Sequence, residues 1–257
     1  LEYVYGKRKI ARWGIEFIAI PTTSGTASEV TSFAVVTDSK KGMKKALGHP
    51  FMYPDSAIID PKLTLTLPKN QTASTGLDAL CHAVESYWSK DSNPVSDVFA
   101  LEAIRLVFAH LPRAFRNGKD MRAREGMSRA SLFAGMAFSN TGTNALHCVS
   151  YPLTMKFGVP HGSACAATLP LFMEYNSEKG GRVLEICRAM GAKDVAGGIR
   201  MVRALLKLVK SPASIKEAGA RKKDARMVAE QAWRPSIFGN PRAVTRKGLE
   251  RLLEGQC

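Results

Sequence analysis

The spacing of apolar residues changes at Pro68, and this change constrains the fold more than any other feature of the chain. Before Pro68, short strand-like apolar runs alternate with turn residues, at 17–20, 32–37 and 57–60. After it, apolar residues recur at helical spacing over 78–88, 95–108, 122–138, 142–149, 163–175, 182–190 and 195–208. The pattern predicts an α/β segment over residues 1–67 and a larger all-α segment over residues 68–257.

Proline and glycine pairs interrupt the helical pattern. Leu111-Pro112, Gly180-Gly181 and Ser211-Pro212 each predict the end of a helix, because both residue types disfavour helix interiors. The chain has 257 residues with 45% apolar content, which is enough to bury a sizeable core in one large or two modest domains. We therefore expect the two segments to pack together and to form a cleft between them.

A carboxylate and an imidazole are spaced to share one face of the first predicted helix. Asp78 and His82 are four residues apart, which places their side chains one helical turn apart. Such pairs also occur on solvated helix surfaces. Here Leu77, Leu80 and Ala83 surround the pair, and polar groups in apolar surroundings need partners. A divalent cation would satisfy both side chains.

Two further histidines lie fourteen positions apart, each in its own local setting. His147 lies in an apolar helical stretch, where the alternative is a core histidine bonded to a backbone carbonyl. His161 lies in a turn between a proline and a glycine, where the alternative is a helix cap or a solvated side chain. Together with Asp78 and His82 they make one carboxylate and three imidazoles, a set suited to Fe(II) or Zn(II). That set indicates a metal-assisted reaction.

These motifs occur together in an order that resembles the iron-containing (group III) alcohol dehydrogenases, which are related to the dehydroquinate synthase-like fold. The matching stretches are 21–31, 57–61, 75–85, 160–162 and 240–242. The resemblance implies that Asp78, His82, His147 and His161 are the metal ligands. It also implies an α/β remnant of a dinucleotide-binding domain over 1–67, followed by a helical metal-binding catalytic domain over 68–257.

The resemblance further implies an activity and a set of cofactor contacts. The activity is that of a metal-dependent alcohol dehydrogenase or aldehyde reductase, in which a hydride moves between NAD or NADP and a metal-bound alcohol or aldehyde. By resemblance, the nucleotide contacts are Thr22, Thr23, Gly25, Thr31 and Lys44. Taken alone, the loop at 22–25 is equally typical of an ordinary strand ending, and the lysine-rich run at 40–45 is typical of a solvated hairpin turn.

The chain departs from the family pattern one helical turn after the third ligand. Many members carry a histidine there that is thought to relay protons, whereas this chain has Tyr151. A phenol can exchange a proton, but its ordinary pKa near 10 makes it a poorer relay than imidazole at neutral pH. Tyr151 is therefore a candidate relay, with water as the alternative carrier. The stretch 150–154 also resembles phosphonoacetaldehyde reductases, which places phosphonylated or carboxylated aldehydes among the expected substrates.

A second departure concerns the nucleotide domain. Family members begin with a domain whose Gly-Gly-Gly-Ser turn holds the pyrophosphate, and the sequence contains no such turn. The sequence therefore predicts a chain that starts partway through the nucleotide domain. Three explanations stay open: the gene product is truncated, the sequence is a fragment, or the missing half of the nucleotide domain is supplied separately. A truncated metal-binding remnant without turnover is the main alternative function.

The charge balance raises a rival function of another class. The chain carries 37 Lys and Arg against 22 Asp and Glu, a net charge of +15, with basic clusters at 7–9 and 221–223. Nucleic-acid binding is the rival, but the basic residues are scattered and no aromatic residues are interleaved with them. A positive field also attracts anionic substrates and cofactor phosphates. We expect a small-molecule alcohol or aldehyde substrate and no nucleic-acid or membrane partner; self-association into a homo-oligomer stays open.

Cysteine usage and hydropathy bear on the compartment. Five cysteines, an odd number without a Cys-x-x-Cys pair, are typical of reduced thiols. No apolar stretch approaches the length of a membrane span, and no signal-peptide pattern precedes the first strand, so we expect a cytoplasmic protein. Cys81 and Cys148 each adjoin a candidate ligand, but neighbouring helical residues point about 100° apart, which excludes both from the expected ligand set.

Overall fold

Strands occupy the first part of the chain and helices the rest. The structure is a computed structural model that describes residues 1–41 and 43–257. The strands are β1 (Ile18–Ala19), β2 (Phe33–Asp38), β3 (Met43–Gly48) and β4 (Ser56–Ala57). The α-helices are α1 (Lys69–Trp88), α2 (Pro94–Arg116), α3 (Met121–Thr141), α4 (Ala145–Phe157), α5 (His161–Ala167), α6 (Leu169–Ser177), α7 (Arg182–Met190), α8 (Val195–Leu208), α9 (Ala225–Ala232) and α10 (Arg246–Glu254). The predicted fold class, an α/β remnant followed by a larger all-α region, is confirmed.

The N-terminal strands form two small ribbons. β1 pairs in parallel with β4, and β2 pairs antiparallel with β3, so that Phe33 lies opposite Gly48. The predicted run at 32–37 corresponds to β2, whereas the runs at 17–20 and 57–60 shorten to two-residue strands. β3 was not among the predicted strands, since its lysines favoured a solvated turn. Gly42, which belongs to that predicted turn, lies outside the described residues.

Helix α1 runs through the centre of the helical region. Every residue from Gly76 to Trp88 is buried, and the helix packs against α2, α3 and α5. A helix buried on all sides has no solvated face for its polar residues. The polar side chains of α1 must therefore find their partners inside the protein.

One of the predicted helix ends is wrong, and a second proline also lies inside a helix. α2 continues through Pro112 to Arg116, and α4 continues through Pro152 to Phe157. A proline inside a helix costs about 3 kcal/mol, and burial of one large apolar side chain recovers about 1.5–3 kcal/mol. Leu111 beside the first proline and Leu153 beside the second are both fully buried, so packing outweighs the local penalty.

The remaining breaks agree with the pattern. Gly180-Gly181 lies between α6 and α7, and Ser211-Pro212 follows α8. The predicted helix over 163–175 is divided at Thr168 into α5 and α6. Within the described part of the chain, none of the helices combines the length and the apolar character needed to cross a membrane.

Candidate metal centre

Three of the four expected ligands converge on one buried point. Asp78 comes from α1, His147 from α4, and His161 is the first residue of α5. Nε2 of His147 lies 3.5 Å from Asp78 Oδ1, and Nε2 of His161 lies 3.7 Å from the same oxygen. Cys165, one turn further along α5, joins them, and one ligand atom from each of these four residues lies within 4.8 Å of the others. The structure thus brings together side chains from three helices.

His82 lies beside this group and not within it. Its ring stacks on His147 with centroids 4.5 Å apart, and Phe138 covers the ring at 4.0 Å. His82 Nδ1 lies 3.2 Å from the carbonyl oxygen of Gly25. If Nδ1–H donates to that oxygen, Nε2 keeps its lone pair and is the ring atom available to a cation.

The donor set fits a metal ion. Asp78 Oδ1 and His147 Nε2 are buried, and neither has a hydrogen-bond partner among the described residues. A buried polar atom without a partner costs about 1–3 kcal/mol. Since a carboxylate oxygen and an imidazole nitrogen both donate lone pairs, a cation is the partner that satisfies the two atoms together.

Glu85 orients His147 and was missed by the sequence reasoning. Its side chain is completely buried, its Oε2 accepts from His147 Nδ1–H at 2.6 Å, and its Oε1 accepts from the backbone N–H of Leu146 at 2.5 Å. This bond fixes the tautomer that turns Nε2 of His147 toward Asp78, as carboxylates do for metal-binding histidines. The available signal was spacing, because Glu85 lies two helical turns after Asp78 on the same face of α1.

The ionisation of Asp78 and His82 suits metal binding. Burial alone would raise the pKa of Asp78, but the imidazoles of His82, His161 and His147 outweigh it and hold the pKa well below its usual range. Burial lowers the pKa of His82 to about 3. The carboxylate is therefore charged and His82 is neutral near pH 7, which are the forms that bind a cation.

The pKa values of His147 on α4 and Cys165 on α5 shift in opposite directions. Burial would lower the pKa of His147, but Cys165, Glu85 and Asp78 together raise it well above its ordinary value. Burial would likewise raise the pKa of the Cys165 thiol, yet His147 and His161 lower it to about 7. Cation binding at this point therefore displaces protons from the protein.

Gly162 explains how α5 approaches α1 so closely. A Cβ atom at this position would overlap the carbonyl oxygen of Ser74 and lie 2.8 Å from Cβ of Asp78. Only glycine leaves room for this packing. The contact sets the start of α5, and so places both His161 and Cys165 against Asp78. The sequence offered one signal for Cys165, namely its four-residue spacing from His161.

Tyr151 lies at the edge of the centre, one turn after His147. Its ring centroid is 6.0 Å from that of His161. Burial raises the pKa of Tyr151, and the nearby His147 and Arg234 only partly oppose this shift. The phenol is therefore harder to ionise than in water, which makes it a weaker proton relay than an imidazole would be.

Arg234 lies over Tyr151 and was also missed by the sequence reasoning. Its guanidinium carbon is 4.2 Å from the Tyr151 ring centroid, and its Nη1 donates to the backbone carbonyl of Lys44 at 3.2 Å. Its Nε–H is buried and has no partner among the residues that the structure describes. A positive group with a free donor thus lies beside the centre.

The loop that carries the expected nucleotide contacts lies against α1. A Cβ atom at Gly25 would lie 2.6 Å from the carbonyl oxygen of Thr75, and the Gly25 carbonyl faces His82. Gly25 therefore joins the loop to the metal-binding helix. Of the other expected contacts, Thr22 is exposed, Thr23 and Lys44 are half-buried, and Thr31 is buried.

A buried carboxylate–imidazole cluster in a helical domain, beside an α/β segment, defines a class of metal-dependent enzyme. The model described as "Fe-containing alcohol dehydrogenase family, C-terminal" matches residues 72–257, and the one described as "Iron-containing alcohol dehydrogenase" matches residues 1–61. The chain belongs to the iron-containing alcohol dehydrogenase family, a family of NAD(P)-dependent oxidoreductases acting on alcohols and aldehydes. The predicted family and enzyme class are confirmed.

Characterised relatives resemble the chain over nearly its whole length. It is 34% identical to a sulfoacetaldehyde reductase of Bilophila wadsworthia over 99% of this chain and 69% of that protein. It is 32% identical to an NAD-dependent methanol dehydrogenase of Bacillus methanolicus over 97% of this chain and 68% of that protein. The crystal structure of sulfoacetaldehyde reductase from Bifidobacterium kashiwanohense with NAD+ superposes with a TM-score of 0.88 at 37% identity, covering 93% of this chain and 64% of that one. The chain thus spans about two thirds of the length of these relatives.

Proposed function

We propose that this chain carries the catalytic centre of a metal-dependent alcohol dehydrogenase or aldehyde reductase. In the reaction, an alcohol and NAD(P)+ give an aldehyde, NAD(P)H and a proton, or the reverse. The observation that carries the proposal is the convergence of Asp78, His147 and His161 from three helices, with two buried lone-pair atoms that have no hydrogen-bond partner among the described residues. Family membership selects this chemistry among those that a divalent ion could support.

We propose Asp78, His82, His147 and His161 as the residues that hold Fe(II) or Zn(II). When bound, such an ion supplies Lewis acidity toward the oxygen of an alcohol or aldehyde. Asp78 contributes the negative charge, and the Glu85–His147 bond fixes one imidazole in place. Phe138 stacks on the His82 ring and covers that face of it.

We assign the nucleotide side of the site to the N-terminal part, residues 1–67, and the metal side to residues 68–257. The proposed nucleotide contacts are Thr22, Thr23, Gly25, Thr31 and Lys44. Their support is the contact between Gly25 and His82, which puts the loop next to the metal ligands. Tyr151 is proposed as the proton relay, with water sharing that role because burial raises the pKa of the phenol.

An anionic aldehyde is the substrate class that the surroundings favour. Arg234 presents a positive guanidinium at Tyr151, and its Nε–H is buried without a partner among the described residues. A sulfonate, phosphonate or carboxylate on the substrate would accept from that donor, and a hydrogen bond to a charged group contributes about 1.5–3 kcal/mol. Two relatives are named as sulfoacetaldehyde reductases, which agrees with this substrate class.

The activity is tested by oxidation of NADH and NADPH. The purified chain is reconstituted anaerobically with Fe(II) and offered neutral, carboxylated, sulfonated and phosphonylated aldehydes. Turnover with a preference for the anionic aldehydes supports the proposal. Stoichiometric metal without turnover would contradict it and would favour the alternative, a metal-binding remnant.

The Arg234 assignment is tested by binding, which does not require turnover. The Co(II) form is titrated with a short alcohol bearing a sulfonate and with an uncharged alcohol of the same length, while the visible cobalt spectrum is followed. Arg234→Met is expected to weaken binding of the anion about 10- to 100-fold and to leave the neutral alcohol unaffected. Arg226→Met, which removes an exposed arginine of α9, is the control. Equal losses for both alcohols would assign Arg234 a purely structural role.

The remaining expectations stay predictions. A cytoplasmic location rests on the sequence pattern of reduced cysteines. A small-molecule substrate is the partner that the family supports. Nucleic-acid binding would appear as an affinity that falls steeply with salt, and self-association as a change in solution mass with concentration.

A further inference from the structure

We propose that the Ser150 hydroxyl positions His161 for metal binding, by accepting a hydrogen bond from the Nδ1–H of its ring. The inference rests on the proposed function in one respect, namely that His161 is a ligand of the divalent ion. It deepens that function by assigning a positioning residue to the ligand that begins α5. Ser150 lies on α4, three residues after His147, and was not among the site residues that the sequence predicts.

Two contacts of the Ser150 hydroxyl carry the proposal. Its O–H donates to the backbone carbonyl of His147 at 2.8 Å, and its Oγ lies 3.3 Å from Nδ1 of His161. A hydroxyl has one proton, so the proton given to the carbonyl leaves only lone pairs for the imidazole. Nδ1 is therefore the protonated nitrogen of His161, and Nε2 keeps the lone pair that a cation needs. That Nε2 lies 3.7 Å from Asp78 Oδ1.

The two imidazoles nearest to Asp78 are enclosed to different degrees. The side chain of His147 is 5% exposed, and Glu85 holds its Nδ1. The side chain of His161 is 33% exposed, so packing restrains its ring less. A ring without a partner at Nδ1 can carry its proton on Nε2, which closes that nitrogen to a cation. Ser150 is completely buried and is therefore a fixed partner for a ring that packing alone does not fix.

The alternative is a serine that only bonds its own helix. Serine inside a helix often donates to a carbonyl one turn earlier, and this habit alone explains the bond to His147. The contact with His161 is additional, because it joins α4 to α5. Through it, α4 supplies one ligand and orients the next, and the two imidazole rings lie 5.4 Å apart between centroids. The alternative predicts that removing the hydroxyl leaves the His161 ring unchanged.

The first test is the tautomer of His161 in the metal-free 257-residue chain, measured by 15N NMR with selectively labelled histidine. The chain contains five histidines, and the His161 signals are assigned from their absence in His161→Gln. At a pH where the ring is neutral, its bare and its protonated nitrogen differ widely in 15N chemical shift. We expect the Nδ1–H tautomer in the wild type and a shift towards the Nε2–H tautomer in Ser150→Ala.

Two control variants accompany Ser150→Ala. Ser131→Ala removes another buried helical hydroxyl, one without a hydrogen-bond partner among the described residues, and should keep the wild-type tautomer. Ser150→Thr keeps a hydroxyl that can bond the carbonyl one turn earlier, and should keep it as well. The second test is the Zn(II) affinity, measured by competition with a coloured chelator. It is expected to fall about 3- to 10-fold in Ser150→Ala, as for the loss of one neutral hydrogen bond, and to stay at the wild-type value in both controls.

Several outcomes would overturn the role of Ser150. They are an Nε2–H tautomer of His161 in the wild type, an unchanged tautomer in folded Ser150→Ala, and a changed tautomer with unchanged Zn(II) affinity. If Ser150→Ala does not fold, the wild-type tautomer decides. Failure of the proposed function looks different, since a wild-type chain that binds no stoichiometric Zn(II) contradicts the metal centre, whereas the tautomer of the metal-free chain still tests the hydrogen bond.

Discussion

The helical region and the N-terminal part bury their residues to very different degrees. Along α1, thirteen consecutive residues from Gly76 to Trp88 are buried, including Asp78, His82 and Glu85. In the N-terminal part, Ile15 is 93% exposed, and Trp13, Phe17 and Ile18 are about half exposed. The carboxylate–imidazole cluster is therefore held inside a closed helical core, whereas the N-terminal part is more exposed and is positioned by its contacts with that core.

The two regions meet through a few specific contacts. The Gly25 carbonyl faces His82, and Arg234 donates to the backbone of Lys44. The hydroxyls of Ser24 and Ser128 lie 3.2 Å apart at the same junction. Changes in the core should therefore alter both metal binding and folding, and changes in the N-terminal part should act weakly and locally.

The largest effect is expected from Asp78→Ala. This substitution removes the carboxylate at the centre of the cluster and leaves the buried imidazoles without their shared partner, so stoichiometric metal binding should be lost. Metal content after dialysis against Fe(II) or Zn(II) measures it. His49→Ala, which removes a histidine of the N-terminal part, should keep full metal content. A metal-replete Asp78→Ala chain would show that the ligand assignment is wrong.

Gly162→Ala is expected to have the next largest effect. Its Cβ atom would overlap the Ser74 carbonyl, and the backbone of neither α1 nor α5 can move freely in the core. We expect a loss of about 2–4 kcal/mol in the free energy of unfolding, measured with urea. At Gly181 a Cβ atom meets open space, so Gly181→Ala should change stability by less than about 0.5 kcal/mol. Equal effects at the two glycines would contradict the close packing of α5 on α1.

Glu85→Gln sharpens the role of the buried carboxylate. The variant keeps the side-chain volume but weakens the bond that orients His147, so metal affinity should fall about 10- to 100-fold. Competition with a coloured chelator measures the affinity. Glu185→Gln, on α7 and bonded to Tyr87, is the matched control and should bind metal like the wild type. Unchanged affinity in Glu85→Gln would mean that helix packing alone orients the imidazole.

The smallest effect concerns Glu29 in the N-terminal part. Burial raises the pKa of its carboxyl above the value in the unfolded chain, so the charged form is disfavoured in the folded state. Stability is therefore lost as the pH rises from the unfolded pKa through the folded pKa. Glu29→Gln should raise the free energy of unfolding by on the order of 0.5–1 kcal/mol at pH 7 and change it little at pH 4, as measured by urea unfolding at the two pH values. Glu16→Gln, at an exposed position, serves as the control, and a gain in Glu29→Gln that is independent of pH would refute the explanation.

Local patterns predicted much of the fold. The bounds of α7 and α8 agree with the apolar spacing, because each of these helices buries one face and exposes the other. Pro112 misled the prediction, since burial of its neighbour Leu111 outweighs the local cost of proline. α9 and α10 were not among the predicted helices, and β3 was hidden by its lysines.

The sequence by itself determined the family, the order of α/β and helical regions, and the identity of three side chains that meet at the centre. It could do so because helical spacing and short motifs are local properties of the chain. Only the tertiary structure decided that Cys165 joins Asp78, that Glu85 holds His147, and that Arg234 covers Tyr151. Those contacts depend on how α1, α4 and α5 pack, and that packing is set by shape and burial across the whole core rather than by any single stretch of sequence.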